Sequence, residues 1–417
     1  MKMKKLKNSI KTSWLPHFSI AGCLLFIIAM MLSVRGKMST NANMYLITMT
    51  FIGVAVLLAA VWDIWSQAHM SNLFCALGIL MAVGASYQAI FVGGYTSYFL
   101  SMVLSIGAGI AAYHYQRRIT AIHDYVFYAL TAISISLMVA LVLFGSTEGG
   151  AKLGIEIIKS EQENTVGPAF RPAEFVKVIL IYMGCQSYHS RLRQGLFCGA
   201  SLVCCVLCVL CKDLGAAAII FANFVIMSYL LFDSRFFSTL VVAVAVVGLW
   251  AVLTFTNLGT HARARMENLF HAMDSVDGQQ HMFLRALLFG GFSGLGPNNA
   301  YIINNIPVIR SDGALIGVTA VYGYPFLALT MLAYGLLAIV PAYNRSINSC
   351  GYLLLSQMTC YIFCHSFLAL NGAADLVPFT GVVSPIICSG INAFLAFGIL
   401  VGLAAGSMHP AQPYIKE

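Results

Sequence analysis

Residues 170–183 read FRPAEFVKVILIYM, and the side on which this segment carries its charges decides the architecture around it. Pro172 suits the first turn of a helix, where its missing N–H costs nothing. Arg171, Glu174 and Lys177 then recur every three residues and stack along one side of an otherwise apolar helix. An ionisable group at membrane depth costs roughly 2.5–3.5 kcal/mol on insertion scales, so such a stripe does not face lipid. It faces a bundle interior or a wet cavity. Two roles suit it equally on spacing alone: a functional site, or a buried ion pair of Glu174 with Lys177 or Arg171 that fixes helix packing.

The rest of the chain supplies the bundle. Its 417 residues are 59% hydrophobic and 9% charged, with mean hydropathy +0.84, whereas a soluble domain carries about a quarter charged residues. Counting runs of about 20 apolar residues gives twelve candidate spans: 15–34, 41–62, 71–93, 96–113, 124–145, 172–189, 194–211, 215–232, 237–256, 314–341, 350–370 and 384–406. The fold class expected is therefore all-α, a polytopic transmembrane bundle. The first span is too long for a signal peptide and lacks a small-residue cleavage site, so it reads as retained.

Charge placement orients the bundle. Arg117 and Arg118, Arg191 and Arg193, Arg235 and Arg345 all fall in even-numbered turns, on the same side as the basic N-terminus. That side is cytoplasmic, and both termini lie there. The two longest loops, 146–171 and 257–313, face outwards. The net charge of +8 does not point to nucleic acid. Five of its positive charges (Lys2, Lys4, Lys5, Lys7, Lys11) precede the first span, where they signal topology and meet anionic lipid.

Other polar features have plainer readings. Twelve Cys are nearly all inside apolar runs, including Cys204, Cys205, Cys208 and Cys211. They read as small packing residues rather than metal ligands. Asp213, before a small-residue run, reads as a helix N-cap. Gly290, Gly291, Gly294 and Gly296 read as a tight bend or re-entrant turn. His189 and His365 read as span-end or packing residues. Asp312 remains: a lone acid between Asp277 and Asp375, at the outer mouth of a tenth span.

Taken in order, GGAKLGI (149–155), FRPAEFVK (170–177), KDLG (212–215), GGFSGLG (290–296), RSDGALI (310–316), LVPFTG (376–381) and SPIICSGINA (384–393) resemble the motifs of the SEDS family (shape, elongation, division and sporulation), the FtsW/RodA/SpoVE-type peptidoglycan glycosyltransferases. The chain departs from the family pattern at Arg171, Ala173, Leu153-Gly154, Lys212, Ala320-Val321 and Gly390-Ile391-Asn392-Ala393, which makes it a divergent member. The resemblance implies a ten-span core with about two extra N-terminal spans. Residues 1–145 would carry spans 1–5, and 146–417 the SEDS-like core with its two outer loops. It implies an enzyme of the bacterial inner membrane that polymerises lipid II, with a class B penicillin-binding protein as transpeptidase partner.

By the same resemblance Asp312 is the catalytic candidate, and Glu174, Lys177 and Asp213 fall on the family's motif positions. A carboxylate there suits general-base removal of the proton from the acceptor GlcNAc 4-hydroxyl. Lys177, Arg171, Lys152 and Arg285 are candidates to meet the charge of the departing lipid diphosphate. No protein-only metal site is expected; a divalent cation, Mg²⁺ or Mn²⁺, could accompany the diphosphate. Two other readings stay open: a polyprenyl-diphosphate lipid flippase, and a non-catalytic scaffold for the transpeptidase.

Overall fold

The computed structural model describes residues 15–35, 42–66, 71–91, 95–119, 121–148, 151–156, 169–188, 190–255, 260–267, 269, 278–343 and 349–408. Five helices come first: α1 (Leu15–Arg35), α2 (Ala42–Ser66), α3 (Ser71–Gln88), α4 (Tyr95–Arg118) and α5 (Asp124–Phe144). Three short strands follow, β1 (Ser146–Glu148), β2 (Ala151–Glu156) and β3 (Ala169–Phe170), then α6 (Pro172–Gln186), α7 (Arg191–Leu210), α8 (Leu214–Leu231) and α9 (Arg235–Phe255). The last part holds α10 (Thr260–Glu267), α11 (Gln279–Gly290), a 3₁₀ segment (Pro297–Ile303), α12 (Ala314–Tyr322), α13 (Tyr324–Tyr343), α14 (Ser349–Ala373) and α15 (Ile391–Ser407). Among the described residues six helices are long and apolar enough to cross a membrane, so this is a multi-pass membrane protein.

Two seams hold the centre. Helix α4 runs along α15, where Gly398, Gly402 and Gly406 recur every four residues. A Cβ on Gly402 would collide with the Gly109 carbonyl, and one on Gly398 with the Ser105 carbonyl, so the two backbones touch. Ser105 Oγ also donates to the Phe394 carbonyl at 2.6 Å. Small residues of this kind let helices associate where lipid provides no hydrophobic drive. Helix α6 forms the other centre: it packs against α5, α7, α8, α14 and α15, and most of its side chains are buried.

Four expectations need correction. The fold is not purely helical: the segment after α5 forms an antiparallel sheet in the order β1-β2-β3. Ile155 pairs with Phe170, and Gly154 leaves room for Ala169. Polar chain beyond the apolar spans satisfies its backbone by pairing strands rather than by extending a helix. The tenth span is not continuous over 314–341. It breaks at Gly323 (φ +87°), where a Cβ would collide with the Phe292 carbonyl.

That break also explains the glycine-rich turn. The amides of Leu295 and Gly296 donate to the Ala320 and Val321 carbonyls at 2.8 and 2.9 Å, capping the end of α12. Thirdly, the last span does not start at 384: residues 384–390 form a buried irregular turn and the helix begins at Ile391. Finally, the segment 257–313 is not plain loop, because α10, α11 and the 3₁₀ segment lie within it. All twelve Cys are free thiols, most of them buried, where small side chains pack. His189 lies outside the described residues.

Candidate functional site

Local rules set the ends of three helices around one cavity. Helix α7 closes in a left-handed turn: Lys212 has φ +62°, its amide reaches the Val209 carbonyl at 2.9 Å, and the Asp213 amide reaches that of Cys208 at 3.0 Å. This pair of bonds is the usual way to stop a helix with one left-handed residue. The next residue is then free to start α8, and Asp213 Oδ1 accepts from the Ala216 amide at 2.9 Å as its N-cap. Arg171 stands at the N-cap position of α6, with Pro172 in the first turn. The positive end of that helix dipole faces the same space.

The cavity holds about 30 Å³, enough for about two waters. It is lined by Arg171, Glu174, Lys177, Asp213, His365 and Gly381, among others. Lys177 is buried. Its ammonium donates to Glu174 Oε1 at 2.9 Å and lies 3.1 Å from His365 Nε2. His365 Nδ1 lies 3.1 Å from the Val383 carbonyl. A carbonyl only accepts, so Nδ1 carries the proton and Nε2 accepts from Lys177. The Tyr361 hydroxyl donates to Glu174 Oε2 at 3.4 Å, and the Lys177 ammonium stands 5.6 Å from the centre of the Tyr361 ring. Asp213 adds a second carboxyl; burial raises its pKa, while the Ala216 amide and Lys177 pull the other way.

Asp312 comes to the rim. Its Oδ2 is so close to Gly381, a cavity-lining residue, that a Cβ there would sit 3.3 Å from it. Asp312, Glu174 and Arg171 share the neighbourhood of Cys388, in the irregular turn before α15. The Phe379 side of the site is tied down by Arg265 Nη1, which donates to the Phe379 carbonyl at 2.5 Å and interacts with Asp213. Gln280 helps, donating to Asp375 Oδ1 at 3.1 Å.

The structure thus brings Arg171, Glu174, Lys177, Asp213 and Asp312 together. Lys152 and Arg285 stand apart from this group. The Lys152 ammonium donates to the Val142 carbonyl at 2.6 Å, near the end of α5, and its amide to the Cys211 carbonyl at 2.8 Å. Arg285 is exposed and stacks over the Phe289 ring at 5.7 Å. Sequence reasoning missed His365, Tyr361 and Arg265. His365 is no mere packing residue, because it accepts the buried Lys177. A signal was present: Gln357, Tyr361 and His365 recur every four residues in an apolar segment, which puts three polar groups on one helix face. Among the described residues no group of three or more His, Cys, Asp or Glu could hold a metal ion.

Residues 64–409 match the family described as cell cycle protein, FtsW/RodA/SpoVE. Helix α1 and nearly all of α2 precede the matched region. The peptidoglycan glycosyltransferase RodA of Mycobacterium bovis is 23% identical over 294 residues, 64% of this chain and 60% of that protein. The match thus spans well under two thirds of that curated relative. The probable peptidoglycan glycosyltransferase FtsW of Bacillus subtilis is 24% identical, over 80% of this chain and 88% of its own length. Among solved structures, a chain from work on a peptidoglycan synthase complex that coordinates polymerization and crosslinking superposes with TM-score 0.60 at 17% identity, covering 80% of this chain and 96% of its own. A variant of the Rod shape determining protein RodA of Thermus thermophilus does so with TM-score 0.53, also at 17% identity, over 81% and 96%. At these identities the likeness shows a shared fold.

Proposed function

The chain belongs to the FtsW/RodA/SpoVE family of cell cycle proteins, and from that premise we propose that it is a peptidoglycan glycosyltransferase that polymerises lipid II at the outer face of the bacterial inner membrane. The observation that carries the reading is the position of Asp312, at the rim of a cavity that also holds Arg171, Glu174, Lys177 and Asp213. The Lys and Arg bias of the short loops supports an orientation that turns this rim outwards, in a bundle of about twelve spans with both termini cytoplasmic. Two spans would then precede the ten-span core.

In the proposed reaction the acceptor GlcNAc 4-hydroxyl oxygen attacks the anomeric carbon of the donor. Asp312 takes its proton as the new C–O bond forms. The bond from the anomeric carbon to the diphosphate breaks, and undecaprenyl diphosphate leaves with the electron pair. Arg171 and the N-terminus of α6 face the place where that charge develops. Lys177, held between Glu174 and His365, fixes a cation in the floor of the site, paired with a carboxylate. No step is assigned to a metal ion. A class B penicillin-binding protein is the proposed partner, in keeping with the synthase complex among the structural neighbours.

The test is polymerisation of lipid II by the purified protein with and without the transpeptidase. The Asp312→Ala variant should lose about 10²–10⁴-fold in rate, the range typical of a general base, while remaining folded. Full-rate polymer from that variant would sink the reading. Lipid II crossing liposomes with no polymer from the wild type would move the protein to the transporter class, and partner binding with neither activity to a scaffold.

A further inference from the structure

Two turns of the molecule are held in a backbone conformation that their residues resist. Val308, four residues before Asp312, has φ +50°, and Ile386 has φ +70°. A β-branched residue in the left-handed region is an outlier that persists only when its surroundings impose it. Both turns are bound by the same place, the C-terminal end of α3.

Tyr87 donates its hydroxyl to the Ile309 carbonyl at 2.9 Å. Gln88 donates both amide hydrogens: to the Arg310 carbonyl at 2.9 Å and the Ile387 carbonyl at 3.0 Å. Two carbonyl acceptors fix which end of the amide is nitrogen. Tyr98 of α4 donates to the Ile386 carbonyl at 3.0 Å. Beside Gln88, the Arg310 guanidinium lies 4.6 Å from the centre of the Phe91 ring.

The neighbours have made room for these donors. A Cβ on Gly317 would collide with the Tyr87 hydroxyl, and one on Gly84 with that of Tyr98. Irregular backbone at membrane depth must find partners inside the protein. Here Tyr87 and Gln88, from one helix end, join the Asp312 turn to the Ile386 turn, with Tyr98 of α4 as a further donor to the latter.

We propose that Tyr87 and Gln88 are positioning residues for the reaction, presetting the Asp312 turn against the Ile386–Ile387 turn so that the Asp312 carboxylate stays at the cavity rim. The inference rests on the proposed role of Asp312. Tyr87→Phe and Gln88→Met keep the apolar shape and remove the donors. A misplacement of about 1 Å can cost about 10²-fold, so kcat for lipid II polymerisation is expected to fall about 10- to 100-fold in each, with KM within about twofold.

Tyr45→Phe is the control for plain structural loss. Tyr45 donates a buried hydroxyl to the Met30 carbonyl at 3.0 Å, next to Ser86, and touches neither strained turn. It should lower thermal stability by a similar amount and leave kcat unchanged. Unchanged kcat in Tyr87→Phe and Gln88→Met, or a fall matched by Tyr45→Phe, overturns the proposal. Asp312→Ala, assayed alongside, separates the two ideas. If it is dead while the two variants are fully active, only the clamp fails; if it is fully active, the role of Asp312 fails and the clamp with it.

Discussion

The two central seams solve the same problem with opposite chemistry. Along α4 and α15 the helices meet through glycines, backbone on backbone, with the Ser105 bond to Phe394 as polar support. Along α6 and α14 they meet through Glu174, Lys177, Tyr361 and His365. The first seam gains contact and pays no desolvation. The second buries a charged pair whose desolvation roughly offsets its attraction. A bundle needing stability alone would use the first solution twice. The second lies where Asp312 and the cavity are, which is what a site under chemical constraint looks like.

The glycine seam should break by steric collision. Gly402→Val drives a side chain into the Gly109 carbonyl and is expected to cost about 3 kcal/mol or more. Folded, monodisperse protein in a thermal size-exclusion assay should be largely lost. Gly107→Ala on the facing helix meets open space and should change stability by about 0.5 kcal/mol or less in the same assay.

The polar seam should break in a different way. Lys177→Met strands Glu174 and is expected to destabilise by about 3–5 kcal/mol. Adding Glu174→Gln should restore most of that stability, yet polymerisation should stay low in both. Recovery of activity along with stability would reduce this seam to packing.

Asp213 separates cap from charge on a smaller scale. Asp213→Ala removes the acceptor of the Ala216 amide and should cost about 1 kcal/mol. Asp213→Asn keeps the cap, so stability should stay within about 0.5 kcal/mol while turnover falls. Another small effect is expected at the far end of the bundle. Arg193 Nη2 meets Asp124 Oδ1 at 2.6 Å, but Asp124 is 68% exposed. Asp124→Asn should therefore cost less than about 1 kcal/mol and leave the rate unchanged.

Much of this was legible from residue types and spacing. Hydropathy marked the apolar helices, six of them long enough to cross a membrane among the described residues, and the Arg171-Glu174-Lys177 stripe marked the polar side of α6. Asp213 caps α8, as its place before a small-residue run suggests, and also lines the cavity. What stayed hidden depends on partners far away in sequence. The break at Gly323 comes from a turn some thirty residues earlier capping α12, about 30 positions that no local period records. His365 sits in a run apolar enough to pass for packing, and only Lys177, 188 residues away, gives it a task. The strained turns at Val308 and Ile386 are invisible for the same reason: β-branched residues favour extended backbone until distant donors hold them otherwise.

Asp312→Asn gives the most direct measurement, since it keeps the side chain's size and removes its basicity. In a single-turnover assay with lipid II bound, the rate of glycosidic bond formation should fall by at least about 10²-fold, with binding of lipid II and the melting temperature unchanged. Bond formation at the wild-type rate in that variant would contradict the assignment of residue 312 as the proton acceptor.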